Sequence, residues 1–554
     1  MVIEENRIGS YSQYYVSGKS RRGPCAECSS SEFGCCSIMD SHDSHFLSRL
    51  FPRVSSALIP HGLLLAVVLG ALLCCLLHFR PLAERRKLKP GGHQLPPGSL
   101  GLPLLGETLQ FAFFSTGPIG TPLPFFSSRL RRYGTIFKTH LLGRPTVVSL
   151  DPELSKFVLS QDDKLVDVFL PKFFLKILGP TIHLHGPRHH TFRELANLSV
   201  SANAVQKLHV DTVQEHFLKS LKSWQQRPSP IVDAQQQCKE WAFTYSVKYF
   251  VGLEHDDPTT VALMRDFFIL PTGYNSIPIN LPGTRFYEVL KARKRIDSTL
   301  VGLVRARILE ARKEAKDFLD VILIKRADEG GEYYGGLHVA DWISSYVLAA
   351  YENTAVLFAN ILKFLSENEH VVGELKRENF ALRKSKKAEE KLTWDDYRDM
   401  NFTRDVVKES LRLGSIAQHL LRVSLEDIHF KDIIIPKGWL LVLNFSMVHF
   451  NSNYYPDPLQ FDPWRWMDSE RNSPDFLIAF GSGSRRCPGS TLTIFEASVF
   501  LHYLVTLYKW KRVHVTDKMC DTLVFLDLYI LPVQTSNSFN DYFWSFPTSL
   551  DKSK

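Results

Sequence analysis

A long apolar run near the N-terminus is the first feature of the hydrophobic pattern. Residues 57–79 provide roughly 20 apolar positions, enough for one helix to cross a bilayer. Basic residues close to this run are more frequent after it, at Arg80, Arg85, Arg86, Lys87 and Lys89, than before it, at Arg49 and Arg53. Because positive charge gathers on the cytosolic side, the pattern predicts a single-pass anchor with the C-terminal bulk in the cytosol.

The segments around this run differ in composition and define the expected domains. Residues 1–56 are polar and rich in Ser without periodicity, which indicates disorder. Residues 80–106 are first basic and then rich in Pro and Gly, which is typical of a stiff hinge. We expect residues 107–533 to form one large domain, and residues 534–554 to be a tail that matches no pattern.

Within that large domain the pattern alternates between helical and strand-like stretches. Alternating positions over 136–141 and 146–150 predict a β-hairpin, and three short strands are predicted within 427–445. The run from Trp342 to Phe364 predicts a long helix through the core. The stretch 270–283 is apolar but broken by prolines, so it cannot be one long helix.

Composition changes this picture little. Lys and Arg number 66 against 58 Asp and Glu, an excess that ordinary surface charge accounts for, and no nucleic-acid module is recognisable. Nine cysteines in 554 residues are too few for a disulfide framework.

The candidate chemistry centres on one cysteine near the C-terminus. Cys487 ends a glycine-rich bend and precedes an apolar helical run. The dipole and free N–H groups of a helix N-terminus would lower its thiol pKa and give an anionic metal ligand. Arg485 is placed to meet a carboxylate, while Gly483 and Gly489 would let the backbone pass close to a flat object. A flat dicarboxylate that carries an iron with one axial thiolate is haem.

From Phe480 to Gly489 the chain reads Phe-x-x-Gly-x-Arg-x-Cys-x-Gly, which resembles the haem-binding signature of cytochrome P450 monooxygenases. The resemblance implies a mostly helical α+β fold with a small β region behind a transmembrane helix. It also implies haem b on the Cys487 thiolate and insertion of one atom of dioxygen into a C–H bond. Electrons would come from NADPH through a separate flavoprotein reductase at the endoplasmic reticulum membrane, since no flavin or nicotinamide fingerprint is present.

The resemblance assigns oxygen activation to the middle of the long apolar helix. The family pattern there is Ala/Gly-Gly-x-Asp/Glu-Thr-Thr/Ser, in which the acid and the first hydroxyl deliver protons. Glu352 fits, but Ala350 replaces the glycine and Asn353 replaces the hydroxyl residue. Thr354 lies one residue on, about 100° around the helix, and is not an obvious substitute. We therefore expect slow oxygen activation that releases more peroxide.

Further charged residues gain their meaning from the same resemblance. His189 and Arg193 are four apart on a helix, and with Arg422 and Arg485 they would hold the haem propionates. On their own, the histidines in this region would suggest a metal site instead; they are His183, His185, His189 and His190. Glu409, Arg412 and Arg465 would form a structural lock behind the haem, since buried charges need partners.

Several stretches look like plant sterol- and terpenoid-modifying members, with brassinosteroid hydroxylases nearest; they are residues 95–106, 392–397, 435–439 and 499–504. An apolar roof at 270–283 would suit a lipophilic substrate taken from the bilayer. Two alternatives to a sterol hydroxylase stay open. One is an oxygen-independent haem–thiolate enzyme acting on peroxides, and the other is a non-catalytic haem- or sterol-binding protein.

Overall fold

The computed structural model describes residues 69–70, 94–101, 106–114, 119–225, 231–328, 336–387, 390–467, 476–514 and 527–532. The predicted extension, almost all of the predicted transmembrane segment 57–79, most of the hinge and the C-terminal tail lie outside these ranges. The described residues from 94 onward belong to one compact unit.

Helices make up most of the described chain. In order they are α1 Thr108–Phe114, α2 Pro124–Tyr133, α3 Pro152–Ser160, α4 Lys172–Leu178, α5 Gly186–Val200, α6 Ala202–Ala204, α7 Val210–Gln225, α8 Ala234–Val251, α9 Pro258–Ile269, α10 Arg285–Glu310, α11 Phe318–Asp328, α12 Gly336–Glu367, α13 Glu369–Lys384, α14 Trp394–Asp399, α15 Asn401–Gly414, α16 Ser446–His449 and α17 Ser490–Leu507.

The strands form three small sheets. They are β1 Ile136–Leu141, β2 Arg144–Ser149, β3 Val166–Val168, β4 Ile231–Asp233, β5 His419–Ser424, β6 Ile428–Phe430, β7 Ile433–Ile435, β8 Leu440–Asn444, β9 Tyr508–His514 and β10 Asp527–Pro532. The largest has the order β1-β2-β8-β5-β3, and the others are β4-β10-β9 and β6-β7. The predicted hairpin and the three short strands are therefore confirmed.

The largest sheet joins distant parts of the chain. The hairpin β1–β2 is antiparallel, with Ile136 opposite Ser149. Its second strand pairs in parallel with β8, where Thr146 lies opposite Leu440. One side of the sheet covers an apolar cluster that includes Phe126 and Val442, both fully buried. The opposite faces of β2 and β8 pack into a second cluster with α3.

Two long apolar helices occupy the helical core. The predicted core helix is α12, which extends beyond the expected limits at both ends and packs against α8, α10 and α15. Within the part of the chain that the structure describes, α17 alone is long and apolar enough to cross a membrane. Most of it is buried, as expected for a helix that is apolar all round inside a protein core.

The roof stretch follows its prediction too. After α9 the chain makes one short 3₁₀ turn, Leu270–Gly273, and then continues without helix to α10.

Candidate functional site

The bend before α17 is held by its own backbone. The Cys487 N–H donates to the Phe480 carbonyl at 2.9 Å, and the Gly481 N–H donates to the Ile478 carbonyl at 2.9 Å. Helix α17 begins three residues after the cysteine, at Ser490. The Cys487 side chain is exposed although core elements surround the loop. The loop thus leaves the thiol accessible although the surrounding protein desolvates it.

The thiol itself differs from the expectation. Desolvation by the surrounding protein raises the pKa of Cys487. The Gly489 N–H and the charges of Arg193 and Arg486 lower it, but they do not outweigh that desolvation. The prediction that the helix N-terminus leaves this thiol with a lowered pKa is therefore wrong for the protein by itself, because burial is the larger effect.

The two glycines of the loop have different surroundings. Gly483 has φ +71°, and a Cβ there would lie 2.0 Å from the carbonyl oxygen of Leu159 at the end of α3. Glycine at 483 therefore lets the loop lie directly against α3. A Cβ at Gly489 would lie 3.9 Å from the Cys487 sulfur, an ordinary contact. The neighbouring helix therefore requires glycine at 483, and the expected approach of the loop to a flat bound group stays a prediction.

Positive charge gathers next to the thiol. One terminal nitrogen of Arg485 donates to the Asp163 carboxylate at 3.1 Å and to the Leu184 carbonyl at 2.8 Å. Its Nε is buried and has no partner among the described residues. Desolvation, followed by the charge of Arg485, lowers the pKa of His189 to about 4. Desolvation also lowers the pKa of Arg193, which interacts electrostatically with Cys487. Arg485, His189 and Arg193 are thus brought together, as predicted.

The fourth predicted propionate ligand is engaged elsewhere. The Arg422 Nε donates to Asp162 Oδ1 at 2.6 Å, and a terminal nitrogen donates to Asp162 Oδ2 at 3.2 Å. Both residues are buried. Asp162 thus anchors Arg422 much as Asp163 anchors Arg485, and the role of Arg422 towards a propionate stays a prediction.

The histidine cluster does not assemble as one metal site. Within the described ranges, one group of side chains lies close enough to hold a metal ion, and it consists of Asp163, Asp167 and His185. His185 Nδ1 is 3.0 Å from Asp167 and 3.5 Å from Asp163, so ion pairing accounts for the group without a metal. Of the four histidines, only His185 takes part.

Helix α12 exposes part of one face. Ala349 and Asn353 are exposed although the helix around them is largely buried, and a spacing of four puts them on one face. The Asn353 side chain forms no hydrogen bond with the described part of the chain. Thr354 is buried and lies on a different face, in keeping with the expectation that it does not replace the missing hydroxyl.

The acid of this helix has a partner that the sequence did not reveal. The hydroxyl of Tyr274, just after α9, donates to Glu352 Oε2 at 2.9 Å. Burial raises the pKa of Glu352 to about 7, while the Tyr274 hydrogen bond and the charge of Lys239 lower it. Glu352 is therefore poised to hold or release a proton near neutral pH. In the sequence, the only local indication of this contact is the presence of a tyrosine in the roof stretch 270–283.

The predicted lock forms in the core as one buried cluster. Arg412 donates to both oxygens of Glu409, from Nε at 2.9 Å and from a terminal nitrogen at 2.7 Å. Arg465 Nε and Trp466 Nε1 donate to the same carboxylate at 3.0 and 3.1 Å. We call Glu409, Arg412 and Arg465 the Glu409 cluster. Arg412 also donates to the carbonyls of His449, Pro458 and Gln460, so it ties α15 to the segment before the cysteine loop.

These residues suit a haem. The accessible Cys487 thiol offers an axial iron ligand. The buried, partnerless Nε of Arg485 offers a donor to a propionate, with His189 and Arg193 beside it. Such an orphaned guanidinium N–H is costly unless an anion completes it. The fold and the site together describe a haem–thiolate protein.

Comparisons with known proteins identify the family. The family model described as Cytochrome P450 matches residues 96–532. Cytochrome P450 85A of Phaseolus vulgaris is 34% identical over 453 residues, which are 80% of this chain and 92% of that protein. Cytochrome P450 85A1 of Arabidopsis thaliana is 33% identical and covers 85% of this chain and 97% of its own length. The chain belongs to the cytochrome P450 family.

A solved structure agrees at the level of the fold. The retinoic acid-bound cyanobacterial CYP120A1 superposes with a TM-score of 0.69 at 23% identity, and covers 80% of this chain and all of that one. The predicted class is confirmed: the protein is a haem–thiolate monooxygenase of plant type with a mostly helical fold. Membership implies dioxygen, a lipophilic substrate and a redox partner.

One prediction concerns the anchoring of Arg485. Asp163→Asn removes the carboxylate that holds this guanidinium, leaving the Leu184 carbonyl. A half-exposed ion pair contributes about 1 kcal/mol or less, so we expect haem to dissociate up to about fivefold faster. Transfer of haem to apomyoglobin measures this rate. Asp167→Asn is the matched control, since Asp167 contacts His185 instead. Equal rates for the Asp163→Asn variant and the wild type would refute the anchoring.

Proposed function

We propose that the protein hydroxylates a lipophilic sterol or terpenoid, within brassinosteroid or sterol metabolism. The observation that carries the monooxygenase chemistry is the accessible Cys487 thiol beside the partnerless Nε of Arg485. The substrate class rests on the plant P450 85A relatives and on the motifs that resemble brassinosteroid hydroxylases.

The chain's own residues have distinct roles in this proposal. Haem, when bound, supplies the activation of dioxygen. Cys487 ligates the iron, while Arg485, His189 and Arg193 orient the propionates. Glu352, half-buried and with its pKa raised to about 7 by desolvation, holds and releases the protons that the reaction needs.

Substrate entry and electron supply complete the proposal. The roof exposes apolar side chains to the outside, with Ile277 74% exposed and Leu281 60% exposed, and α1 exposes Phe113 to 73%. Such a surface suits a substrate that arrives from a lipid phase. We propose that the predicted segment 57–79 anchors the chain in the endoplasmic reticulum membrane with the domain in the cytosol. A flavoprotein reductase that uses NADPH would deliver the electrons.

Isotope incorporation tests this function. Membranes that contain the protein and a plant reductase receive NADPH, labelled dioxygen and a panel of sterols and terpenoids. One labelled oxygen atom in a sterol product, absent from Cys487→Ala membranes, is the expected result. Labelled products from the terpenoids alone would exclude the sterol class. No labelled product from the panel, despite a full complement of haem, would contradict the proposed substrate class.

A second prediction follows from the replaced hydroxyl on α12. Asn353 offers N–H donors but cannot relay a proton as a hydroxyl does. Positioned proton transfer contributes roughly 10²–10⁴-fold, so even partial restoration by Asn353→Thr should raise the product formed per NADPH about twofold or more. The same assay should detect less hydrogen peroxide. Asn353→Ala serves as control and should not improve the ratio; an unchanged ratio in Asn353→Thr would contradict this account.

A further inference from the structure

The roof stretch 270–283 meets the core at one tightly packed point. Gly273 is buried, and a Cβ there would lie 3.0 Å from side-chain atoms of Ile177 in α4 and of Val289 in α10. The next residue, Tyr274, places its ring 5.8 Å from that of Phe174 in α4. From this point its hydroxyl reaches Glu352 of α12. Tyr274 therefore contacts both α4 and α12.

Beyond Tyr274 the roof leaves the core. Residues 275–283 are exposed except for a half-buried Ser276. Their hydrogen bonds, within the ranges that the structure describes, stay inside the segment and its junction with α10, as from Ser276 to the Gly273 carbonyl and from Thr284 to the Ile279 carbonyl. The Tyr274–Glu352 bond is thus the polar connection between this stretch and α12.

Few charged groups surround Glu352. Lys239 approaches from α8, Tyr274 from the roof, and Tyr351 is its neighbour on α12. Lys239 influences Glu352 by its charge, but no cation among the described residues comes within ion-pairing distance of that carboxylate. The phenol of Tyr274 keeps its proton, because burial raises its pKa far above neutral. Tyr274 is therefore the neighbour that holds the Glu352 carboxylate in place.

We propose that Tyr274 is a positioning residue that ties the roof to Glu352, so that this carboxylate is held in place only while the roof is seated. The contact between Tyr274 and Glu352 rests on the geometry alone, whereas its consequence for the reaction rests on the proposed function. When the roof lifts to admit a substrate, the hydrogen bond breaks and Glu352 loses a stabiliser of its charged form. Its proton affinity rises, and the group no longer releases a proton readily. Proton supply is thereby restricted to the closed pocket.

The test is Tyr274→Phe in the haem-loaded protein, which keeps the ring against Phe174 and removes only the hydroxyl. In the resting protein without NADPH, amide hydrogen exchange over residues 274–283 should become several-fold faster. The infrared band of the protonated Glu352 carboxyl, identified by its absence in Glu352→Gln, should titrate about one to two pH units higher, since a hydrogen bond to a charged group is worth about 1.5–3 kcal/mol.

Tyr351→Phe is the matched control. It removes a neighbouring buried hydroxyl, which donates to the Phe267 carbonyl rather than to Glu352, and should change neither readout. Exchange and titration in Tyr274→Phe that equal those of the wild type would overturn the tie. The same holds if Tyr351→Phe produces the same changes, because general loosening of the core would then explain them. Neither amide exchange nor carboxyl titration requires turnover. Both therefore test the Tyr274–Glu352 contact even if the panel of sterols yields no product.

Discussion

Replacement of Cys487 by alanine is expected to abolish oxygenation and to remove the thiolate features of the haem absorption spectrum. Cys487 is the one exposed thiol in the described part of the chain. Alanine leaves the loop backbone intact, because the hydrogen bond from the residue 487 N–H to the Phe480 carbonyl does not depend on the side chain. Arg485 and its neighbours should still hold some haem by its propionates, so haem content should fall less than activity.

Cys238 provides the matched control for this experiment. It is the other free cysteine in the described part of the chain, it lies in α8, and burial raises its thiol pKa. Cys238→Ala should cost about 1 kcal/mol of stability through the small cavity that it leaves, without changing the haem spectrum. Oxygenation that survives in Cys487→Ala, or a thiolate spectrum that disappears in Cys238→Ala, would show that the wrong ligand has been assigned.

Arg412→Met is expected to lower the free energy of unfolding by about 3–5 kcal/mol, the usual cost of removing one partner from a buried ion pair. Methionine fills similar space but leaves Glu409 with Arg465 and Trp466 as its remaining side-chain donors. The carbonyls of His449, Pro458 and Gln460 lose a donor as well. The shift in the urea midpoint of the haem-loaded protein measures the loss.

A surface pair calibrates this measurement. Lys431 and Glu153 are 2.7 Å apart, but both are mostly exposed, so Lys431→Met should leave the urea midpoint close to the wild-type value. Should Arg412→Met yield no folded protein, Arg412→Lys keeps the charge without the two-pronged contact and should unfold at an intermediate midpoint. A midpoint for Arg412→Lys at the wild-type value would contradict the structural role of the cluster.

The sequence was informative wherever a local pattern determines the structure. The hairpin, the core helix α12 and the non-helical roof follow from periodicity and prolines over fewer than about 25 residues. The resemblance to the cytochrome P450 family predicted the Glu409 cluster and the grouping of Arg485, His189 and Arg193, because each of these residues occupies a position of the family pattern.

The missed contacts are those that the tertiary fold alone creates. Asp162 meets Arg422 across 260 positions of sequence, and Tyr274 meets Glu352 across 78. No periodicity encodes such pairs. The direction of the Cys487 pKa shift was also wrong, because desolvation depends on everything packed around the thiol. The contact of Gly483 with the end of α3 was missed for the same reason, since nothing near it in the sequence indicates that helix.

The parallel pairing of β2 with β8 also delays completion of the largest sheet during biosynthesis. Thr146 in β2 cannot pair until Leu440 in β8 has been synthesised, and the ribosome adds Leu440 294 residues later. At roughly 5–20 residues per second, β2 stays without this partner for about 15–60 s. Cys487 is made later still. A nascent chain therefore spends much of its synthesis with an unpaired strand edge and no complete cofactor site, so the yield of active protein should rise with chaperone supply during translation.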